Sequence, residues 1–266
     1  MRLCSIASGS SGNCIYVGSD NTHILVDAGI SCKRIEEGLR KAELTGKDIS
    51  ALFITHEHSD HIQGLGVLAR KFGIPMYATG GTIEGILYGA KSLGKVDTAL
   101  FHEIHTDEDV QIGDLTVHPF RISHDAKEPC GYRFECSGRK AAVATDLGIF
   151  DPYIVENLKD LNAILIEANH DIRMLQAGPY AYPLKQRILS DCGHLSNENS
   201  GLLLNQILHK DLKYILLGHL SHENNMPELA YETVKLEINA ADTPFSADMF
   251  GLAVASRSEV GEVLDF

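Results

Sequence analysis

The feature that most constrains this chain is the stretch LFITHEHSDHIQG at residues 52–64. An apolar run of strand character ends directly in HEHSDH, with three histidines and two carboxylates in six residues. In a strand, His61 would point away from His56, His58 and Asp60. In a helix, His56 and His58 would diverge by about 200°. Neither regular element aims all four groups at one point, whereas a loop feeding a helix N-terminus can. Such a loop belongs at the end of a buried strand, where α/β folds build their sites.

The same punctuation recurs. Asp27 follows ILV and Asp146 follows AAVAT. Short apolar runs alternate with helix-like segments along the whole chain. Residues 3–7, 13–18 and 22–29 predict strands, with SGSSGN as a turn between the first two. Residues 31–42 predict a helix with Ser31 as its N-cap, and HIQGLGVLARKFG predicts one helix stopped at Gly73. LTVHPFRIS alternates, and GYRFEC with GRKAAVAT predicts a hairpin about Ser137 and Gly138. NAILIEA and KYILLGHL predict strands; SNENSGLLLNQILH and PELAYETVKLEIN predict helices. Capped helices after strands, with hairpins between them, imply two sheets faced by helices, an α/β sandwich. No repeat, linker or low-complexity tract marks a boundary, so residues 1–266 are expected to form one domain.

Composition narrows the classes. A formal net charge of −13 argues against a broad basic nucleic-acid face, and the Lys and Arg residues are scattered. It leaves room for a local positive site, because bound metal ions can be the largest charges in a cleft. No two of the six cysteines have C-x-x-C spacing, the N-terminus lacks a signal-peptide apolar region, and no apolar run reaches the length of a membrane span. A cytoplasmic protein with reduced thiols and no membrane association is the expectation.

Imidazole and carboxylate together suit Zn, Mn or Fe. Four such groups exceed what one open catalytic site needs, which leaves room for two divalent ions. The pattern is not H-E-x-x-H, because aspartate stands at position 60 where a zincin needs its second histidine. Four fixed positions in this order arise by chance in a chain of this length only about 10⁻³ times.

THEHSDH resembles the H-x-H-x-D-H signature of the metallo-β-lactamase-fold hydrolases. Asp27 in LVDAG, His124 in ISHDAKEPCGYRF, Asp146 in VATDLG and His219 in LLGHLSHEN match the later motifs of that superfamily in order. GSSGN near the start, EANHD at 167–171, GHLSNEN at 193–199 and GHLSHEN at 218–224 are similar to its bacterial WalJ branch, whose members are described as DNA exonucleases acting from the 5′ end. The resemblance implies an αββα four-layer sandwich with a binuclear site at its edge. It implies that His56, His58 and His124 hold one metal, that Asp60, His61 and His219 hold the second, and that Asp146 bridges them while Asp27 braces the histidine loop.

A hydroxide shared by two cations is available at neutral pH, and two metals can also hold phosphate oxygens during in-line attack. Asp60 would orient that hydroxide or take its proton. His194 is the candidate to stabilise or protonate the leaving oxygen, because in-line displacement needs a donor opposite the nucleophile and His194 lies just before a predicted helix. Glu167, Asn169 and His170 follow a predicted strand and are expected to touch substrate or support the ligands. His222, three residues past His219, reads as an orienting or solvated residue rather than a ligand. SGSSGN is either a phosphate-binding run of N–H groups or a tight glycine turn.

The leading expectation is a metal-dependent phosphodiesterase with DNA as substrate, most specifically a 5′-to-3′ exonuclease. The alternatives are hydrolysis of a cyclic nucleotide or cyclic phosphate, hydrolysis of a thioester or lactone, and a non-catalytic regulatory protein whose metal site is only structural.

Overall fold

The computed structural model describes residues 1–90 and 93–266. Two seven-stranded sheets organise the chain. In the first, β1 (Arg2–Ala7), β2 (Cys14–Gly18) and β3 (His23–Val26) form an antiparallel meander. From β3 the sheet continues in parallel through β4 (Ala51–Phe53), β5 (Met76–Thr79) and β6 (Phe101–Ile104). The second repeats that plan. Strands β7 (Val110–Ile112), β8 (Leu115–Arg121), β9 (Cys130–Cys136) and β10 (Arg139–Ala144) are antiparallel, and β11 (Ala163–Glu167), β12 (Tyr214–Gly218) and β13 (Gly251–Val254) follow in parallel. The last strand, β14 (Leu264–Asp265), returns to pair antiparallel with β1.

Apolar residues alternate so that each central strand is buried on both faces. Ile15, Val17, Ile24, Val26 and Phe53 of the first sheet meet Tyr132, Phe134, Val143 and Leu165 of the second in the layer between the sheets. The intervening residues Tyr16, Leu25 and Leu52 face outward onto α1 (Cys32–Lys41) and its neighbour across Ile35, Leu39 and Leu68. On the far side, Ile164, Ile166, Ile215 and Leu217 pack against Leu203, Leu204, Val234 and Ile238. Helix, sheet, sheet, helix is the four-layer αββα sandwich, and near-continuous apolar strands are what burial on both faces requires.

The predicted helix over residues 61–73 is two helices, α2 (Ser59–Ile62) and α3 (Leu65–Phe72), separated at Gln63 and Gly64. Tertiary hydrogen bonds replace the helical ladder there: Gly64 N–H donates to Ala28 O at 2.7 Å, and Ala28 N–H donates to His61 O at 2.8 Å. A Cβ on Gly64 would stand 1.9 Å from Ile30 O, so only glycine permits this approach. The remaining helices are α4 (Gly80–Gly89), α5 (Pro152–Asn157), α6 (Ile172–Ala177), α7 (Tyr182–Ile188), α8 (Asn197–Ile207) and α9 (Pro227–Ala240).

Candidate metal centre

The C-terminal ends of β3, β4, β10, β11 and β12 deliver their polar residues to one edge of the sandwich. Asp27 follows β3, the histidine loop follows β4, Asp146 follows β10, and His219 follows β12. Three of these residues have left-handed backbones that side chains rarely adopt: Asp27 at φ 61°, Asp146 at φ 59° and His219 at φ 54°. Each such residue costs on the order of 1–2 kcal/mol. The strain ends the strand abruptly and turns the side chain into the site.

His56, His58 and His124 each offer a ring nitrogen, all within 4.8 Å of one another, and Asp60, His61 and His219 form a second group on the same criterion. Asp146 lies between them. Its Oδ2 is 3.2 Å from His61 Nε2, and its Oδ1 is 3.6 Å from His124 Nε2 and 3.3 Å from His219 Nδ1. Asp60 and His61 manage to converge, although adjacent, because they occupy the first turn of α2. His58 is the N-cap residue of that helix, but its imidazole makes no capping bond. Its Nδ1 instead faces His124 Nε2 at 3.2 Å.

The spacing fits divalent ions. Two donors at about 2.1 Å from one tetrahedral cation stand roughly 3.3–3.4 Å apart. His58 Nδ1 and His124 Nε2 are 3.2 Å apart, and His219 Nε2 and Asp60 Oδ2 are 3.3 Å apart. Buried His56 Nε2 has no hydrogen-bond partner among the described residues. Burial, reinforced by His61, drives the His56 imidazole well below its ordinary value, and burial also lowers His124, so both are neutral and ready to donate a lone pair. Burial acts in the same direction on His61 and His219, but the carboxylates outweigh it. Asp146, Asp27 and Asp60 raise His61 well above its usual value; Asp146, Asp60 and Glu167 raise His219 to about 10. Asp146 is held well below the carboxylate range despite its burial, by His219, His61 and His56.

A framework of hydrogen bonds fixes these groups. Asp27 Oδ2 lies 2.7 Å from His61 Nδ1, and its Oδ1 accepts from Thr55 N–H at 2.9 Å. Asn169 Nδ2 donates to His219 O at 2.9 Å, and Ser8 Oγ accepts His219 N–H at 2.9 Å. Glu167 is fully buried. Its Oε1 lies 2.8 Å from His194 Nδ1 and 2.9 Å from His219 Nδ1, while Oε2 accepts from Leu147 and Leu195 N–H. Burial alone would push Glu167 up, but His194 and His219 hold it down at about 2.

Two of the expected residues stand apart from the ligand groups, and for His222 the solvated alternative holds. His222 is 69% exposed at its side chain and pairs with Glu223, so it braces none of the ligand-type residues. The pull toward water comes from the turn after β12, which releases the chain to the surface three residues beyond His219. His170 is buried, and neither ring nitrogen has a hydrogen-bond partner among the described residues; burial lowers it to about 4. SGSSGN folds as a glycine turn with internal bonds: Gly9 N–H donates to Asn13 Oδ1 and Gly12 N–H to Gly9 O. Asn13, which the sequence reading did not single out, places Nδ2 3.1 Å from His61 Nε2. Gly29 was likewise missed. A Cβ there would stand 1.7 Å from Asp60 O, so the DAG turn and the histidine loop meet backbone to backbone. The glycine directly after Asp27 and Ala28 was the available signal.

The family model described as "Beta-lactamase superfamily domain" matches residues 22–214. Exodeoxyribonuclease YycJ of Bacillus anthracis is 43% identical over 234 residues, 88% of each chain. Exodeoxyribonuclease WalJ of Streptococcus pneumoniae serotype 2 is 42% identical over 243 residues, 91% of this chain and 90% of that one. Among solved structures, Zn(2+)-bound PqqB from Methylobacterium extorquens superposes with a TM-score of 0.74 at 16% identity, covering all of both chains. That likeness speaks for the fold alone. The matched family domain runs through every sheet-edge turn from the Asp27 loop to the start of β12, and this chain belongs to the beta-lactamase superfamily, in the branch of its WalJ-type members.

Proposed function

We propose that this chain is a metal-dependent DNA exonuclease that removes nucleotides from the 5′ end, acting as one domain over residues 1–266. The observation that carries the reading is the gathering of two ligand groups around Asp146 in a chain more than 40% identical to exodeoxyribonucleases over most of its length. His56, His58 and His124 would hold one divalent ion; Asp60, His61 and His219 would hold a second, with Asp146 shared. Zn or Mn fits this donor set best and Fe also suits it. Such ions lower the pKa of water and neutralise phosphate oxygens.

The protein's own groups do the rest. Asp60, whose side chain is 23% exposed, orients the attacking water and takes its proton. His194, 16% exposed with Nδ1 held by Glu167, presents Nε2 to the leaving oxygen and gives it a proton. Asp27, Thr55 and Asn169 keep the ligand residues in place without touching substrate. The six cysteines are all free thiols, which suits a cytoplasmic location. No helix among the described residues is long and apolar enough to cross a membrane.

The test is a cleavage assay on 5′-labelled single-stranded and duplex DNA, RNA and bis-p-nitrophenyl phosphate, with Mn²⁺, with Zn²⁺ and with chelator. Release of labelled mononucleotides only in the presence of metal is the expected result. No DNA cleavage with any metal overturns the reading, and turnover of the small ester alone redirects it to small phosphodiesters.

A further inference from the structure

We propose that the helical segment at residues 172–190, between β11 and β12, is a docking surface for single-stranded DNA leaving the metal centre. The inference rests on the nuclease reading and names the surface that would serve it. The segment reads IRMLQAGPYAYPLKQRILS: three cations, two tyrosines and no carboxylate, in a chain with a net charge of −13. It forms α6 and α7, tied together where Lys185 Nζ donates to Gln176 O at 2.6 Å. Arg173 and Arg187 are exposed, and Tyr182 is 72% exposed. Gln176, Tyr182, Lys185, Gln186 and Leu189 line a groove of about 310 Å³, at the small end of ligand-sized pockets.

The segment is joined directly to the centre. His194 N–H donates to Ile188 O at 3.1 Å, and Gly193 O lies 3.1 Å from His124 Nδ1. Arg187 binds Asp125 through Nη2 at 2.8 Å, and Asp125 Oδ1 is 3.5 Å from His124 Nε2. From Ile188 back to Tyr182, α7 extends about 9 Å away from this anchor at the ordinary helical rise. A strand leaving the centre along α7 passes Arg187, which is held by Asp125, and then meets the groove face where Lys185 and the Tyr182 ring stand three residues apart. Cations for the phosphates and an exposed aromatic ring for a base are the elements of sequence-independent single-strand binding. A second copy of the chain is a poorer occupant, since a two-fold contact through this face would set its cations against themselves.

The test compares Tyr182→Ala/Lys185→Gln with its parent in the full, metal-loaded chain. Fluorescence anisotropy with a labelled 5′-phosphorylated oligonucleotide is measured across a salt series, in a His194→Gln background that holds the DNA intact while leaving the assigned metal ligands in place. The double variant is expected to weaken binding about tenfold and to reduce the slope of log affinity against log salt by about 0.7. With His194 restored, turnover of bis-p-nitrophenyl phosphate by the double variant is expected to stay within twofold of wild type. Unchanged oligonucleotide affinity and slope, or no oligonucleotide binding by the parent, overturns the proposal. So does a change confined to the oligomeric state in sedimentation. Retained, Tyr182-dependent binding without DNA cleavage by wild type would instead overturn the nuclease reading and leave the surface standing.

Discussion

Glu167 Oε1 stands 2.8 Å from His194 Nδ1, linking the candidate proton donor to the buried wall of the metal centre. The same oxygen lies 2.9 Å from His219 Nδ1. One carboxylate thus sets the ring orientation of both histidines, which leaves Nε2 of each as the nitrogen available to the site. Carboxylate partners of this kind fix the tautomer of ligating histidines and increase their basicity.

Glu167→Gln keeps the shape but supplies only one acceptor oxygen for the four contacts the carboxylate now makes. Metal affinity or kcat is expected to fall 10–100-fold. Equilibrium dialysis with metal analysis, together with turnover of bis-p-nitrophenyl phosphate, checks this. Wild-type values for both would show that Glu167 positions neither histidine.

At Asp146 the backbone and the side chain can be separated. Asp146→Gly and Asp146→Ala both remove the carboxylate, but only alanine keeps a Cβ at φ 59°. The glycine variant is expected to be the more stable by about 1 kcal/mol, a reversal of the usual order for these two residues. Urea unfolding of both metal-free variants measures it, and equal stabilities would mean that the left-handed conformation carries no strain.

Metal removal should act on stability as well as activity. The carboxylates that raise His61 and His219 hold protons there which a divalent ion must displace. Metal addition in weak buffer is therefore expected to release protons, and chelation to lower Tm, since ions that bind the folded chain stabilise it by mass action. Indicator absorbance and thermal unfolding with and without chelator check both. Metal uptake with no proton release would contradict the ligand assignment at His61 and His219.

His170 sets a pH dependence with a definite sign. Burial depresses it from 6.5 to about 4, so between those values the unfolded chain binds a proton that the folded chain refuses. Its contribution is fully present above pH 6.5, declines as the pH falls, and is gone below about 4. The loss is on the order of 2–3 kcal/mol across that window. His170→Gln should flatten this part of the stability profile in urea titrations of the metal-free protein. An unchanged slope would place the acid sensitivity elsewhere.

The strand and helix reading succeeded where the pattern was strongly periodic or capped. Ser31 does cap α1, accepting Arg34 N–H, and the hairpin does turn at Ser137, whose φ is 50°. It failed where tertiary bonds replaced local ones, as at Gln63 and Gly64. It also gave no account of α6 and α7, whose short turns bury little beyond Leu175 and Ile188 and so leave no clear apolar period. Scattered Lys and Arg residues concealed the run at 172–190, which carries three cations and no carboxylate, because the chain-wide acidic balance obscured it.

By itself the sequence determined the layer order and the kinds of donor. Strands that are apolar on both faces need cover on both faces, which helices on one side and the second sheet on the other supply here, and histidine and aspartate at strand ends state their chemistry wherever they are placed. The spatial pairing was decided only by tertiary structure: which carboxylate faces which imidazole, that Glu167 serves two histidines, that His170 is sealed in while His222 reaches water. Those relations join residues 27 to 61, 58 to 124 and 167 to 219; the family resemblance implied the first two, and no local pattern records the third. They arise when the parallel strands of both sheets end at one edge and their left-handed turns bring distant side chains within a few ångströms of each other.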